Sequence, residues 1–530
     1  MPGRGKLPSV MGHKFSEVPQ ARIPRSSFDR SFGHKTTFDA GWLVPFYVDE
    51  ALPGDTFNLR TTAFARLATP LKPIMDNLFL DTFFFAVPNR LLWDNWEKFN
   101  GAQDDPGDST DFTVPLVNSS ADRGIVGTLN DYFGLDSPTV TNGPHVNALP
   151  WRAYNLIWNE WFRDQNLQDS AAVHTGDSIE VSADYPLRRR GKRHDYFTSC
   201  LPWPQKGTAV QMPLGTEAPV TAEGTFGDEI RIFDDVGTYR NLQLVGGVAT
   251  GEVEMKSGTG SGAELYADLT ASTAGATINE LRQSFQIQKL LERDARGGTR
   301  YTEIVKAHFG VTSPDSRMQR PEYLGGGSTP VNISPIANTA GDDGGAGPNT
   351  AIGDLAGIGT AHVSGHGFVK SFTEHCTIIG LVCVRADLTY QQGIERMWFR
   401  STRYDYYWPA LAHIGEQAVY NREIYAVDVD SSPNTGVFGY QERYAEYRYK
   451  PSIISGLFRS GITGSLDIWH LSQEFGALPT LDDTFIQENP PLDRVIAVPT
   501  EPHFIFDSYT RLKCARPMPV YGVPGMIDHF

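Results

Sequence analysis

Three apolar β runs sit within about fifty residues of one another near the start of the chain, and they restrict its architecture more than any other feature. Leu78 to Val87 reads LFLDTFFFAV and is ended by Pro88. Such a strongly apolar run bounded by turn formers predicts a strand. Thr56 to Leu67 is a second, following the turn signal Pro53-Gly54-Asp55. Phe38 to Val48 is a further strand interrupted by Pro45. Strands this closely spaced favour a sandwich or barrel over a parallel α/β sheet. Late runs return to the same pattern: 378–388 (IIGLVCVRADL), the extended-looking Arg396 to Arg400, the alternately aromatic and charged Val437 to Tyr449, and Phe504 to Cys514. Early and late strands separated by long insertions fit one jelly roll whose first and last strands are neighbours. The expected fold class is therefore mainly β, a single eight-stranded antiparallel jelly roll with long loop insertions carrying a few helices.

Between these strands lie three excursions. Residues 89–190 contain an acidic loop, Asp104 to Asp111, and a predicted helix, Trp151 to Leu167, with an aromatic stripe suited to packing. The acidic loop lacks the full ligand pattern of a calcium loop and the bidentate Glu at its end. Residues 208–275 are rich in Gly, Thr, Ala, Val and acidic residues, with short alternations such as Glu229-Ile230-Arg231-Ile232 that predict exposed strands. Residues 276–327 open on a capping box, Thr277 with Glu280, and predict a helix ended at Gly297-Gly298 and a second from Tyr301 to Phe309. Residues 328–370 read as a Gly/Thr/Ala-rich loop. With 52 Gly, 35 Pro and 12% aromatics, the chain is loop-rich, and long irregular segments need a surface to pack on. Neighbouring subunits would supply it.

Charge is unevenly spread. The formal net charge is −16, which argues against a general cationic binder of nucleic acid. Residues 1–35 form a basic N-terminal arm broken by Gly and Pro, with Arg4, Lys6, Lys14, Arg22, Arg25, Arg30 and Lys35 against Glu17 and Asp29. The arm thus carries +5 and the jelly-roll portion, 36–530, carries −21. The densest basic cluster is Arg188, Arg189, Arg190, Lys192, Arg193 and His194, followed at once by Tyr196 and Phe197. Cations interleaved with aromatic rings can hold phosphates and stack single-stranded bases. The same pattern also serves a salt-bridged seam between subunits. The nucleic-acid candidates are therefore Arg4, Lys6, Lys14, Arg22 and Arg25 of the arm, and Arg188, Arg189, Arg190, Lys192 and Arg193 of the cluster.

Signals for chemistry are weak. No phosphate-binding loop, nucleophile elbow, zinc-protease motif or dinucleotide fingerprint stands in context. His362 and His366 are four apart, but Ser364, Gly365 and Gly367 argue against the helix a zinc pair would need. Cys200, Cys376, Cys383 and Cys514 have no C-x-x-C spacing and are expected reduced and buried. No run of about eighteen apolar residues predicts a membrane helix, and no apolar signal core is evident. Neither catalytic residues, a metal nor a cofactor is expected. A carbohydrate-active hydrolase on a jelly roll would need paired carboxylates in a cleft. A spike or lectin-like adhesin would form trimers.

Longer word strings are more specific. TINELRQSFQIQKLLERDARGGTRYTEIVKAHFGV with SPDSRMQRPEYLGG, within 276–327, closely resembles the major capsid proteins of gokushoviruses, small single-stranded DNA bacteriophages of the microvirus group. RSSFDRSFGHKTTFDAGWLVPFYVDEALPGDTFNL (25–59), PIMDNLFLDTFFFAVPNRLLWDNWEKF (73–99), HDYFTSCLPWPQKG (194–207), VRADLTYQQGIERMW (384–398), HIGEQAVYNREIYA (413–426), VFGYQERYAEYRYKPS (437–452) and MPVYGVPGMIDHF (518–530) resemble the same family in the same order. The resemblance implies a non-enzymatic shell subunit, about sixty copies in a T=1 icosahedron around circular single-stranded DNA. It also implies, as partners, a small basic DNA-packaging protein, an internal scaffolding protein, a minor or pilot protein and a host surface receptor. It implies assembly in the bacterial cytoplasm without membrane insertion, and a threefold protrusion for which 208–275 is the candidate.

Overall fold

A computed structural model of the chain describes residues 24–122, 124–135, 145–208, 278–297, 301–309, 319–339, 352–427 and 432–521, with residue 210 and five short strands between 220 and 267. The chain divides into two compact units, residues 1–202 with 314–530, and residues 203–313.

The first unit is built on one curled antiparallel sheet. Its strands are β1 (Ser26–Asp29), β2 (Phe32–Phe38), β3 (Val44–Ala51), β4 (Thr56–Leu67), β5 (Leu78–Pro88), β6 (Glu322–Ala337), β7 (Leu355–Ser371), β8 (Cys376–Ala386) and, last in the chain, β11 (Phe504–Arg516). They run in the order β1-β11-β4-β7-β6-β5-β8-β3, and β2 shares the β11 edge with β1. First and last strands are thus partners, Ser26 opposite Arg516 and Phe38 opposite Phe504. The sheet curls at β6. Its first part, Glu322 to Val331, pairs with β5, and its second part, Asn332 to Ala337, pairs with β7. One half of the jelly roll is therefore β1/β2-β11-β4-β7 and the other β6-β5-β8-β3.

Side-chain alternation follows from that curl. Every second residue of β4 and β11 is buried, as a strand with one wet face requires. Phe57, Leu59, Phe504 and Phe506 point inward with Phe38 of β2 and meet Phe46 and Phe84 from the facing half. Each such ring or Leu contributes roughly 1.5–3 kcal/mol by leaving water. All eleven residues of β8 are buried instead. Its outer face, Ile379, Leu381 and Cys383, is covered by helix α1 (Leu149–Ile157) with Trp151, Tyr154 and Trp93.

Three expectations need correction. The predicted loop 328–370 contains most of β6 and β7, the long pair at the centre of the sheet. Its glycines are places where backbones approach closely. A Cβ on Gly326 would lie 2.0 Å from the Thr82 carbonyl oxygen, and one on Gly367 equally near that of Leu59. At Gly365 (φ +78) a bulge shifts the register between β7 and β4. Residues Arg396 to Phe399 form a single 3-10 turn rather than an extended segment. The predicted helix 151–167 ends earlier. After α1 it widens into a π turn, Trp158 to Phe162, and Arg163 is extended. That widening brings Trp161 and Phe162 against the rings of Phe85 and Phe83.

A second hairpin, β9 (Glu416–Tyr420) with β10 (Val437–Glu442), lies between β8 and β11 in the chain. It closes a third core of Tyr196, Phe197, Tyr390, Val419, Phe438 and Phe485. In the other unit, five short strands make their own sheet, and helices α2 (Ile278–Arg296) and α3 (Tyr301–Phe309) lie where their capping pattern predicted.

Candidate functional site

The basic cluster is held between two other chain segments by backbone hydrogen bonds. Arg190 N–H donates to the Gly41 carbonyl (2.9 Å), Leu43 N–H to that of Arg188 (2.9 Å), Lys192 N–H to that of Ile486 (2.7 Å) and Glu488 N–H to that of Arg190 (2.7 Å). Gly41 permits this docking. It sits at φ +84, and a Cβ there would fall 2.1 Å from the Glu488 carbonyl oxygen.

The side chains are committed to the fold. Arg188 lies over Trp158 at 4.9 Å, and Arg189 over Trp42 at 4.2 Å while donating to the Glu488 carbonyl (3.0 Å) and Asn489 Oδ1 (3.0 Å). Arg190 pairs with Asp81 on β5, whose same oxygen accepts from Arg385 Nε on β8 at 2.9 Å. Lys192 is buried against Phe485, its ammonium 4.5 Å from the ring. Burial pushes that amine down and the nearby buried Glu488 carboxyl up; Lys192, Arg190 and Arg385 partly offset the latter. Burial also raises the Asp81 carboxyl, but the Ser328 hydroxyl, Arg190 and Arg385 outweigh it and hold the carboxyl below its ordinary value. Arg188 to Lys192 thus tie the end of the 89–190 excursion to the β5–β8 half of the sheet and to the segment 486–489. Arg193 alone of the five named cations is exposed. In the arm, Arg25 is exposed and donates to Thr56 Oγ1 (2.6 Å). Arg4, Lys6, Lys14 and Arg22 lie outside the described residues.

Other expectations find their places too. All four cysteines are buried and unpaired. Burial pushes the Cys376 and Cys383 thiols up to about 12. Asp104 and Asp108 of the acidic loop face Lys98 at 3.6 and 3.7 Å. His366 lies on β7, its ring nitrogens against the hydroxyls of Thr82 (2.8 Å) and Thr329 (3.2 Å). Among the described residues no group of His, Cys, Asp or Glu is arranged to hold a metal ion, and no helix is long and apolar enough to cross a membrane.

Sequence reasoning did not single out residues 395–408 and 442–450. Here Arg396 donates to the buried Glu423 carboxylate (3.1 Å) and the Ala418 carbonyl (2.7 Å), and Tyr196 donates to the other Glu423 oxygen (2.9 Å). Arg400 reaches Glu446 at 3.5 Å. Thr402 and Asp405 close a capping box on the turn Arg403–Asp405. Above this framework the rings of Tyr407, Tyr444 and Tyr447 pack within 5.2 to 6.3 Å of one another. Tyr444 is held at φ +65, the single non-glycine residue with positive φ among those described. The string MWFRSTRYDYYW (397–408) carried this signal as arginines interleaved with rings.

These features define the class by fold: a jelly roll whose first and last described strands pair and whose long excursions pack against it. The capsid protein (F protein) family matches residues 16–526. The chain is 46% identical over 533 residues to capsid protein VP1 of Bdellovibrio phage phiMH2K, covering 98% of both chains. It is 45% identical to capsid protein VP1 of Chlamydia phage 1, covering 98% of this chain and 99% of that one. Against capsid protein VP1 of Spiroplasma virus 4 the identity is 37%, covering 97% of each. The chain belongs to the capsid protein (F protein) family, and within it to the gokushovirus type of major capsid protein. Its role is structural, not enzymatic: it self-assembles into the shell of a virion.

Proposed function

We propose that about sixty copies of this chain form a T=1 icosahedral shell around a circular single-stranded DNA genome, one subunit per asymmetric unit. The observation that carries this reading is end-to-end similarity to VP1 capsid proteins on a jelly roll closed by its own terminal strands. The rigid roll acts as a wedge, and the excursions and termini make the seams. Many modest contacts then add up to a stable shell through multivalency.

The acidic body repels packaged DNA in sum, so the reading includes a small basic DNA-packaging protein that supplies counter-charge. The arm residues Arg4, Lys6, Lys14, Arg22 and Arg25 offset the repulsion locally. From the cluster 188–193, the exposed Arg193 is the member open to a phosphate, while Arg188, Arg189, Arg190 and Lys192 brace the segment that presents it. An internal scaffolding protein guides assembly in the host cytoplasm, a minor or pilot protein accompanies the genome, and a bacterial surface receptor is met from outside. For the last, segment 208–275 is the proposed protrusion. Its support is that it falls within a separate compact unit with its own small sheet.

Deletion of 208–275 from particles made with the phage assembly proteins tests this. Shells of unchanged diameter that lack projections and no longer adsorb to host cells are expected. Loss of shells with retained folding would overturn the protrusion assignment.

A further inference from the structure

The described part of the 395–450 region presents a face of exposed aromatic rings that no core absorbs. Trp398 is 71% exposed and Tyr404 58%; Tyr406, Tyr407, Trp408 and Tyr447 are also open to solvent. Guanidinium groups lie over rings of this region. Arg403 sits 5.4 Å from the Tyr404 ring and 5.3 Å from that of Trp408. Arg400 sits 4.1 Å from Tyr447 and 5.6 Å from Tyr406, and Arg443 sits 4.8 Å from Tyr444. Arg403 and Arg443 have no carboxylate within salt-bridge distance among the described residues; Arg443 donates to the Tyr404 carbonyl (3.1 Å).

We propose that this aromatic–arginine face is a stacking platform for single-stranded nucleic acid. The proposal rests on the reading of the chain as a shell around single-stranded DNA and names where the shell would grip it. Arg403 is exposed and without a carboxylate partner among the described residues, which leaves it open to a phosphate, and the exposed rings of Trp398, Tyr404 and Tyr406 are open to bases, a sequence-tolerant mode of binding. Charge agrees. Segments 395–408 and 442–450 hold six cations, Arg396, Arg400, Arg403, Arg443, Arg448 and Lys450, against the four carboxylates Glu395, Asp405, Glu442 and Glu446 and the Glu423 that Arg396 binds. This is a local positive excess in a chain of net charge −16. A polyanion of unpaired bases matches the rings and the charge together. A second copy of an acidic chain matches the charge alone.

The platform is also rigidly built. Bulky residues at positive φ are rare and persist where their surroundings over-determine them. Tyr444 is fixed by its N–H on Gln417 Oε1 (3.1 Å), its hydroxyl on the Tyr404 carbonyl (3.4 Å) and its ring among those of Tyr407 and Tyr447.

The test uses particles assembled with the phage assembly proteins. Wild type is compared with Trp398→Ala, Tyr404→Ala, Tyr404→Phe and Arg403→Glu. Shells are followed by sedimentation, and ultraviolet cross-links to packaged DNA by peptide mass spectrometry. Wild-type cross-links should fall in peptides spanning 397–408 and 443–450. Trp398→Ala, Tyr404→Ala and Arg403→Glu should still form shells, with cross-linking there reduced roughly ten-fold, and Tyr404→Phe should retain it. Wild-type shells without cross-links in these peptides, or variants that cross-link normally, would overturn the proposal. So would variants that melt normally but form no shells, since the face would then be a seam between copies. Failure of the wild type to form shells would instead strike the capsid reading, and this proposal with it.

Discussion

Replacing Asp81 by Ala probes the ionic junction that joins the excursion to the sheet. Asp81 Oδ2 accepts from both Arg190 and Arg385, and the Arg385 side chain is only 5% exposed. Of its other acidic neighbours, Asp387 is 3.5 Å away and itself 43% exposed, and the buried Glu488 is shared with Lys192 and Arg190. Removing Asp81 therefore strands a buried guanidinium. Breaking a buried pair from one side destabilises by about 3–5 kcal/mol, a large share of the ~5–15 kcal/mol typical of a native protein. The assay is urea unfolding of the soluble chain at pH 7, followed by tryptophan fluorescence. Asp81→Ala combined with Arg385→Met should recover part of the loss, because the stranded charge goes too. Linkage adds a pH signature. The folded carboxyl is held below its ordinary value, so its contribution is present above the unfolded carboxylate pKa of about 3.9 and is lost as pH falls through the lower folded value. Wild type should therefore lose more stability on acidification than Asp81→Ala does. A loss under about 1 kcal/mol, the range of exposed pairs, with no difference in pH dependence, would refute the reasoning.

Other perturbations separate buried from exposed contributions. Gly41→Ala places a Cβ against the Glu488 carbonyl at φ +84; a loss of more than ~1 kcal/mol is expected in the same unfolding assay. Trp151→Ala empties a site under the outer face of β8, and thermal melts should show a loss of about 3–5 kcal/mol. Lys35→Ala removes an ion pair whose partners, Lys35 and Asp507, are 78% and 52% exposed. Screening should leave stability within about 1 kcal/mol of wild type in the same melts, and insensitive to added salt.

How much of this was legible depended on how local each cause is. β4 was readable from the turn signal before it and β5 from its strongly apolar run ended by Pro88, because those causes lie within a few residues. The extent of α2 was equally local. Residues 328–370 of β6 and β7 were read as loop because their Gly-, Thr- and Ala-rich composition looks like a breaker in isolation. The reason for a glycine such as Gly367 lies in another strand, the Leu59 carbonyl that leaves no room for a Cβ. The cluster 188–192 read as a surface for phosphate because its partners are remote in sequence. Asp81 is 109 residues from Arg190, and Glu488 is 299 from Arg189. The interleaving of rings and arginines recurs at 397–408, where the tertiary structure leaves several of the rings exposed.

The central claim is that this chain builds closed shells. The direct measurement is the particle distribution of the protein produced with its phage assembly proteins, by light scattering and then electron microscopy with icosahedral reconstruction. The account predicts shells of one diameter containing about sixty copies, with projections and protected single-stranded DNA. Monomers or free trimers as the final species, with those partners present, would contradict it.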